Sequence, residues 1–146
     1  MLTALTHEEC RRLLAANHLG RLAVTLPSGR PLIRPVNYVF DQSTQSVVFR
    51  SRAGSKQYAL THAPRACFEI DDGAGGEAGA WSVIVTGSTE IVSRPSEIER
   101  LERLGLETWG QVEDMRWVRL HANVISGRRL GSGRSGLGVV SADQAP

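Results

Sequence analysis

The sequence predicts a mainly β, α+β domain in which six strands and short helices form a closed or split β-barrel. Residues 81–93 are the longest stretch rich in β-branched residues and predict a central strand. Gly87 in its middle predicts a bulge or tight bend that resets the side-chain alternation, as a barrel corner requires. The predicted order of elements is α, β, β, β, α, β, β, α, β. This order favours a barrel over a doubly wound parallel sheet.

Length and composition predict one ordinary globular domain. The chain has 146 residues, of which 41% are hydrophobic and 22% charged, which suits a single core. We expect the domain to span residues 1–130 and the Gly/Ser-rich residues 131–146 to form a disordered tail. Apolar runs are too short to cross a membrane and no secretory signal is recognisable, so we expect a cytoplasmic protein. The net charge of +2 is too small to indicate nucleic-acid binding.

The first part of the chain predicts a helix and three strands. Thr6 and Glu9 have the spacing of a capping box, which starts a helix over residues 7–17 after a loose segment at residues 1–5. Three strands then follow as a meander, at residues 19–26, 31–40 and 46–51. Pro35 cannot donate to a strand ladder, so its strand is predicted to lie at an edge or to carry a bulge.

The second part predicts two helices and three more strands. Ser55 is the expected N-cap of a short helix over residues 57–62, and Pro95 starts a helix that continues towards Trp109. The strands are predicted at residues 65–71, 81–93 and 115–125, with an exposed glycine-rich loop at residues 72–79. Cys10 and Cys67 lie far apart in the sequence and are expected to be reduced core residues.

One group of residues suits a phosphate. Arg50 and Ser51 end a strand, and Ser55 and Lys56 follow at the start of a helix. Cations, hydroxyls and helix N-terminal amides together provide charge-assisted donors from several directions. Lys56 is the single lysine beside 16 arginines, which draws attention to it. The alternative is a surface loop with a capping serine and a solvated lysine.

Two further groups could contact a planar ligand. Arg34 and Asn37 lie close to Pro35 and could bind a heterocycle, although residues of this kind more often belong to an ordinary edge strand. Trp81 and Ser82 open the longest strand, where the indole could stack on a ligand or a partner subunit or simply pack in the core. The four histidines have neither metal-ligand nor catalytic-triad spacing.

The order of short motifs along the chain is more specific than any one of them. The motifs are LGRLA (19–23), PVNY (35–38), VFRS (48–51), GSK (54–56), FEID (68–71), WSVIVTG (81–87), VRL (118–120) and GRR (127–129). This series, over residues 5–130, resembles the pyridoxamine 5′-phosphate oxidase-like family of FMN-binding split barrels. It is most similar to the short bacterial branch that includes nitroimidazole-resistance-type proteins. The resemblance implies a homodimeric, six-stranded split barrel of Greek-key type with FMN in clefts between the subunits.

The same resemblance implies a set of cofactor-binding residues. One strand would run along the flavin ring and ribityl chain, and the next would line the same cleft. These residues are Arg34, Pro35, Val36, Asn37 and Tyr38, followed by Phe49, Arg50 and Ser51. Ser55 and Lys56 would bind the phosphate, Trp81 and Ser82 would approach the ring from the partner subunit, and Arg128 would reach the cofactor.

The function implied is that of an FMN-dependent oxidoreductase acting on a small molecule. The oxidases that give the family its name hold their substrate with basic and His residues near the C-terminus, and the tail from Gly131 has none of this pattern, so true pyridoxamine phosphate oxidase activity is not expected. Four alternatives keep the fold. They are a reductase using an 8-hydroxy-5-deazaflavin coenzyme held by Arg52 and Arg128, a haem protein ligated by His62 or His121, a non-catalytic flavin- or small-molecule-binding protein, and a dimeric structural barrel with an empty cleft. No residue is singled out as a catalytic acid or base, and no metal is expected.

Overall fold

The computed structural model describes residues 2–52, 54–62, 65–73, 79–107 and 114–131. The helices in these ranges are α1 (His7–Ala16), α2 (Ser55–His62) and α3 (Pro95–Glu102). The strands are β1 (Leu2–Ala4), β2 (Leu19–Thr25), β3 (Pro31–Asn37), β4 (Val39–Asp41), β5 (Ser46–Arg52), β6 (Arg65–Asp72), β7 (Trp81–Val92), β8 (Met115–His121) and β9 (Val124–Leu130). They form one antiparallel sheet in the order β3-β2-β6-β7-β8-β5-β4, with β9 pairing with both β7 and β1. The sheet curls into a split barrel, which confirms the predicted fold class.

The long strand β7 is central, as predicted. Its first part pairs with β6 on one edge and with β9 on the other, and its last residues pair with β8. The predicted reset of the alternation at Gly87 is wrong, because Val83, Val85, Gly87 and Thr89 are all buried on one face. β7 therefore keeps a regular pleat through the glycine.

The irregularity lies instead in the chain opposite β7. Thr86 pairs with Val124 and Thr89 pairs with Leu120, so the three residues 121–123 face only two residues of β7. This two-against-three count is that of a β-bulge. It divides a predicted single strand into β8 and β9.

Gly87 is required by this bulge. A Cβ atom at this position would overlap the carbonyl oxygen of His121. Beside it, the backbone N–H of Ser88 donates to Asn123 Oδ1 at 2.9 Å, which supplies a partner where the ladder is interrupted. Glycine is needed here for the close approach of another backbone, and no bend of β7 itself is involved.

Several predicted boundaries need correction. The six predicted strands become nine among the described residues. The 31–40 strand divides at Tyr38, the last strand divides at the bulge, and residues 2–4, expected to be loose, pair with β9 as β1. The expected meander is two separate hairpins, β2–β3 and β4–β5, because β5 pairs with β8 and not with β3.

The helices also differ in detail from the prediction. α1 begins with the predicted capping box at Thr6 and Glu9. Ser55 is the first residue of α2 rather than its N-cap. α3 ends at Glu102, short of Trp109. Trp109, most of the glycine-rich loop (74–78) and the tail (132–146) lie outside the described residues.

Two apolar cores lie on the two faces of β5 and β8. The barrel interior contains Tyr38, Phe49, Phe68, Val118 and Leu120, among others. The second core lies beneath α3 and consists of Val48, Val92, Leu101 and Trp117. The predicted division of β8 into a Val118/Leu120 face and a Trp117/Arg119/His121 face is thus confirmed in its buried residues.

The two cysteines are unpaired, as expected. Cys10 is buried in the barrel core, whereas Cys67 is exposed on the outer face of β6, so the prediction of two core residues is wrong for Cys67. None of the helices in the described ranges is long and apolar enough to cross a membrane.

Candidate functional site

β3 is an edge strand, as Pro35 predicts. It ends the pairing order of the sheet, and Arg34 and Pro35 are exposed on it. Val36 and Tyr38 are buried in the barrel core and Asn37 is half-buried between them. Arg34 is on the same face of β3 as Val36, and Asn37 is on the opposite face, so a ligand along the free edge of β3 would meet their side chains from different sides.

Tyr38 anchors the end of this strand. Its hydroxyl donates to the carbonyl oxygen of Leu14 at 2.7 Å, and its ring meets Phe68 edge-on at 4.8 Å. Complete burial raises the pKa of the Tyr38 phenol far above its usual range. The phenol is a neutral donor within the fold and is not available as a base.

The pleat of β5 separates the predicted residues on it. Phe49 and Ser51 are buried, while Arg50 between them is on the opposite face. The Arg50 guanidinium lies 4.5 Å from the ring centroid of Trp117, its direct cross-strand partner on β8. The three residues of this motif therefore do not converge on one spot.

Ser55 and Lys56 are the first two residues of α2, which follows β5 after a short loop. Their side chains lie outside the described part of the structure, so the predicted phosphate contact stays a prediction. Ala59 and Leu60 bury this helix against the barrel core. The packing fixes the start of α2, with its unpaired N–H groups, next to the end of β5.

Trp81, Ser82 and Arg128 come together at the start of β7. Ser82 pairs with Asp71 on one side and with Arg128 on the other, and Trp81 packs partly buried on the barrel core. β2 and β6 separate this group from β3, which is three strand spacings, or about 14 Å. Within one chain, these residues do not lie beside the β3 group.

The outer face of the sheet is apolar and open. One cross-strand row runs Ile33, Ala23, Cys67, Thr86, Val124 across five strands. Ile33 and Val124 are each 61% exposed, and Leu19 on the same face is 56% exposed. We call this surface the outer sheet face.

A charged cluster lies in the next row of the outer sheet face. Arg21 Nη1 is 3.1 Å from Asp71 and 3.5 Å from Glu69. Burial and the neighbouring Asp71 carboxylate raise the pKa of Glu69 to about 7, against the opposing effect of Arg21. Sequence reasoning missed this pair because the row is set by strand register, not by a motif.

The structure also contains a cavity that the sequence did not indicate. It has a volume of about 350 Å³ and lies between α3 and the outer faces of β5, β7 and β8. Arg50, Trp117, Ile98, Arg116 and Glu102 are among its lining residues. A smaller cavity of about 120 Å³ adjoins Asn37 and Tyr38. No sequence motif marks the larger cavity, because its Arg50–Trp117 pair follows only from the register of β5 with β8.

These features define a split-barrel protein of the class that binds flavins. A family model described as pyridoxamine 5′-phosphate oxidase matches residues 6–129, and the chain belongs to this family. The membership confirms the resemblance drawn from the motif order. Family membership assigns the chain to a class of proteins but does not identify its substrate.

Three comparisons with individual proteins agree with this membership. The chain is 30% identical over 131 residues to the uncharacterized protein Rv0080 of Mycobacterium tuberculosis, covering 86% of this chain and 84% of that protein. It is 32% identical to the FAD-binding protein of Mycobacterium smegmatis, with a TM-score of 0.74 and coverage of 90% and 100%. An F420 reductase shares the fold at 19% identity and a TM-score of 0.61, covering 79% and 94% of the two chains.

Proposed function

We propose that this protein is an FMN-dependent oxidoreductase whose cofactor lies in a cleft between two copies of the chain. The observation that carries the proposal is the edge strand β3, which contacts β5, the strand that leads through a short loop into α2. An edge strand offers unpaired backbone groups and the side chains of Arg34 and Asn37 to a heterocycle. The family membership and the FAD-binding relative support a flavin as that heterocycle.

The phosphate of the cofactor is assigned to the start of α2. A helix N-terminus supplies unpaired N–H donors and a partial positive charge, and Lys56 adds a full charge beside Ser55. Arg50 is not needed for this step, since its guanidinium is stacked on Trp117. Lys56 is therefore the residue on which flavin affinity should depend most.

A second copy of the chain is assigned to the outer sheet face. Exposed Ile33, Val124 and Leu19 give it an apolar centre, and Arg21 beside Glu69 gives it charges of both signs. A two-fold axis through such a face can pair each charge with its opposite on the other copy. Such a dimer would also bring Trp81 and Ser82 of one copy towards the cleft of the other.

The flavin, when bound, would supply hydride or single-electron transfer. The contribution of the chain is to hold the phosphate, orient the ring along β3 and tune its potential through hydrogen bonds near the ring. The Tyr38 phenol at the end of β3 is excluded as a general base, since it stays protonated and buried. Protons for the reaction would come from the substrate or from water.

The first experiment is a visible absorption spectrum of the purified protein, repeated with FMN, FAD and 8-hydroxy-5-deazaflavin. We expect FMN to bind, and Lys56→Ala to weaken it at least about tenfold because a charge-assisted phosphate contact is lost. Arg103→Met, at the exposed C-cap residue of α3, is the cation control and should leave affinity unchanged. A protein that binds none of the three cofactors would refute the proposal. A preference for the deazaflavin would show that the cofactor is the deazaflavin and not FMN.

The dimer and the activity are tested separately. Val124→Asp should give a monomer by light scattering and weaken FMN binding, whereas Val124→Ala should leave both unchanged. An FMN site that survives in a monomer would refute the intersubunit cleft. Reduction of the bound flavin by NAD(P)H or reduced deazaflavin, followed by turnover of an acceptor, distinguishes an oxidoreductase from a flavin-binding carrier.

A further inference from the structure

The cavity beneath α3 differs from the proposed flavin cleft in its position. Its floor is formed by Trp117 and Val92 of the second core, and Ile98 of α3 forms a wall. Arg50 enters it from the face of β5 opposite Phe49, whose side chain is inside the barrel. A volume of about 350 Å³ is at the lower end for small-molecule sites, which are about 300–1,000 Å³.

The two cations of this cavity are among the described arginines that have no carboxylate partner. Arg100 and Arg119 are each within 4 Å of two or more carboxylates, and Arg103 pairs with Glu99. Among the described residues, neither Arg50 nor Arg116 has a carboxylate within that distance. Two cations at one apolar cavity thus have no carboxylate of the described residues within 4 Å.

The stacking of Arg50 leaves its hydrogen-bonding edge available. The Arg50 Cζ atom lies over the Trp117 ring, 4.5 Å from its centroid, and among the described residues no hydrogen bond engages the guanidinium. The N–H donors point outwards in the guanidinium plane and match a carboxylate in a two-pronged contact. The contact with Trp117 also limits the side-chain freedom of Arg50, which reduces the entropy cost of ordering this side chain when a ligand binds.

The remaining lining residues specify the ligand further. Ile91, Ile98 and Met115 give apolar walls that suit an aromatic ring. Glu102 lines the same cavity and offsets one of the two arginines, leaving a formal charge of +1. We propose that this cavity binds a planar aromatic monoanion, with its carboxylate on Arg50 and its ring against the walls of α3 and β8.

The test uses benzoate as the probe and the indole N–H signals of the ¹⁵N-labelled full-length protein as the readout. Trp117→Phe assigns the relevant signal among the three tryptophans. We expect benzoate to shift the Trp117 signal in a saturable way. Benzamide, which is neutral and of the same shape, should bind at least about tenfold more weakly because it lacks the charge.

The variants separate charge from packing. Arg50→Met keeps an apolar chain on Trp117 and should weaken benzoate at least about tenfold, with Arg50→Lys intermediate because a point charge replaces the planar fork. Arg103→Met is the control and should bind benzoate as the unaltered protein does. An unchanged far-ultraviolet circular dichroism spectrum verifies that each variant is folded.

Three results would overturn the inference. They are a Trp117 signal that benzoate leaves in place, equal affinity for benzamide, and equal affinity of Arg50→Met. Competition between benzoate and FMN, with loss of FMN affinity in Arg50→Met, would also overturn it, since the cavity would then belong to the flavin cleft. Failure of the flavin proposal is read independently, because it appears in the visible spectrum and not in the Trp117 signal.

Discussion

The carboxylate of Asp41 should be among the most important charges for stability. Asp41 is 2% exposed and accepts two hydrogen bonds from Arg100, at 3.2 and 2.6 Å. The hydroxyls of Ser43 and Thr44 donate to the same carboxylate at 2.8 and 2.7 Å. The substitution Asp41→Asn keeps the shape of the side chain and removes its charge, so it isolates the ionic part of these contacts.

The expected loss of stability is smaller than for a fully buried ion pair, because Asp41 is buried and Arg100 is partly exposed. Breaking a fully buried ion pair costs about 3–5 kcal/mol. The Arg100 side chain is 35% exposed and retains Glu97 at 2.6 Å, so water and Glu97 recover part of this loss. We therefore expect Asp41→Asn to lower the free energy of unfolding by about 2 kcal/mol, or the melting temperature by about 4–8 °C.

The dependence on pH provides a second check. Burial alone would raise the pKa of Asp41, but hydrogen bonds from Arg100, Thr44 and Ser43 outweigh it and hold the pKa well below its usual range. A carboxyl with a depressed native pKa stabilises the fold above its unfolded value of about 3.9 and loses that contribution as the pH falls. The difference between the two proteins should be constant from about pH 5 to 8 and shrink below about pH 4.

Urea unfolding followed by tryptophan fluorescence measures this difference. Glu99→Gln is the matched control, since Glu99 and Arg103 are 68% and 74% exposed and such a pair contributes less than about 1 kcal/mol. Equal losses in Asp41→Asn and Glu99→Gln would refute the reasoning. So would a loss in Asp41→Asn that persists unchanged at pH 3, well below the unfolded pKa of about 3.9.

Two further substitutions test other parts of the sheet. The pKa of Glu69 is raised by burial and by Asp71, to about 7, so the native state favours its protonated form and loses stability as the pH rises from about 4 to 7. Glu69→Gln should therefore match the wild type near about pH 3.5 and exceed it by about 1 kcal/mol at pH 8 in thermal unfolding, after allowance for solvent screening; an equal gain at both pH values would contradict this. Gly87→Ala should cost about 1–3 kcal/mol in urea unfolding, because the added methyl group meets the carbonyl of His121. Gly73→Ala has no such close contact and is its control; equal stability of the two variants would exclude the bulge as the reason for Gly87.

The periodicity of the sequence predicted those features of the fold that depend only on neighbouring residues. The two faces of β8 were predicted correctly because the alternation of side chains in a strand depends only on neighbouring residues. The break between β3 and β4 was missed because it depends on distant groups. The backbone N–H of Tyr38 still bonds the carbonyl of His18 in register with β2, and the next residue, Val39, pairs with Val48 of β5, so the chain changes its partner strand here. β1 was missed for the same reason, since three residues carry no pattern and their partner is at the other end of the described chain.

The sequence predicted which residues belong to the candidate site better than it predicted how these residues are arranged in space. Motif order identified the family, which the match over residues 6–129 confirms. Adjacency in the sequence suggested that Arg50 and Ser51 act together, but the pleat of β5 places them on opposite faces. Trp117, which determines where the Arg50 side chain lies, comes from a different strand and could be found only from the register of β5 with β8.

The arginines show how structure adds information that composition conceals. With 16 arginines and one lysine, the sequence gives no reason to prefer one arginine over another. The structure divides them by their partners. Arg100 and Arg119 join α3 to β4 and β8 through Asp41 and Glu97, so their charges are neutralised within the fold.

Arg50 belongs to a different group. It is half-buried at the cost of part of its hydration, yet only an aromatic face compensates it among the described residues. A stable fold gains more by replacing such a cation with an apolar side chain, because the desolvation penalty would disappear and the packing on Trp117 would remain. A half-buried cation kept at the mouth of a cavity is therefore better explained by an anion that the cavity binds than by the stability of the barrel.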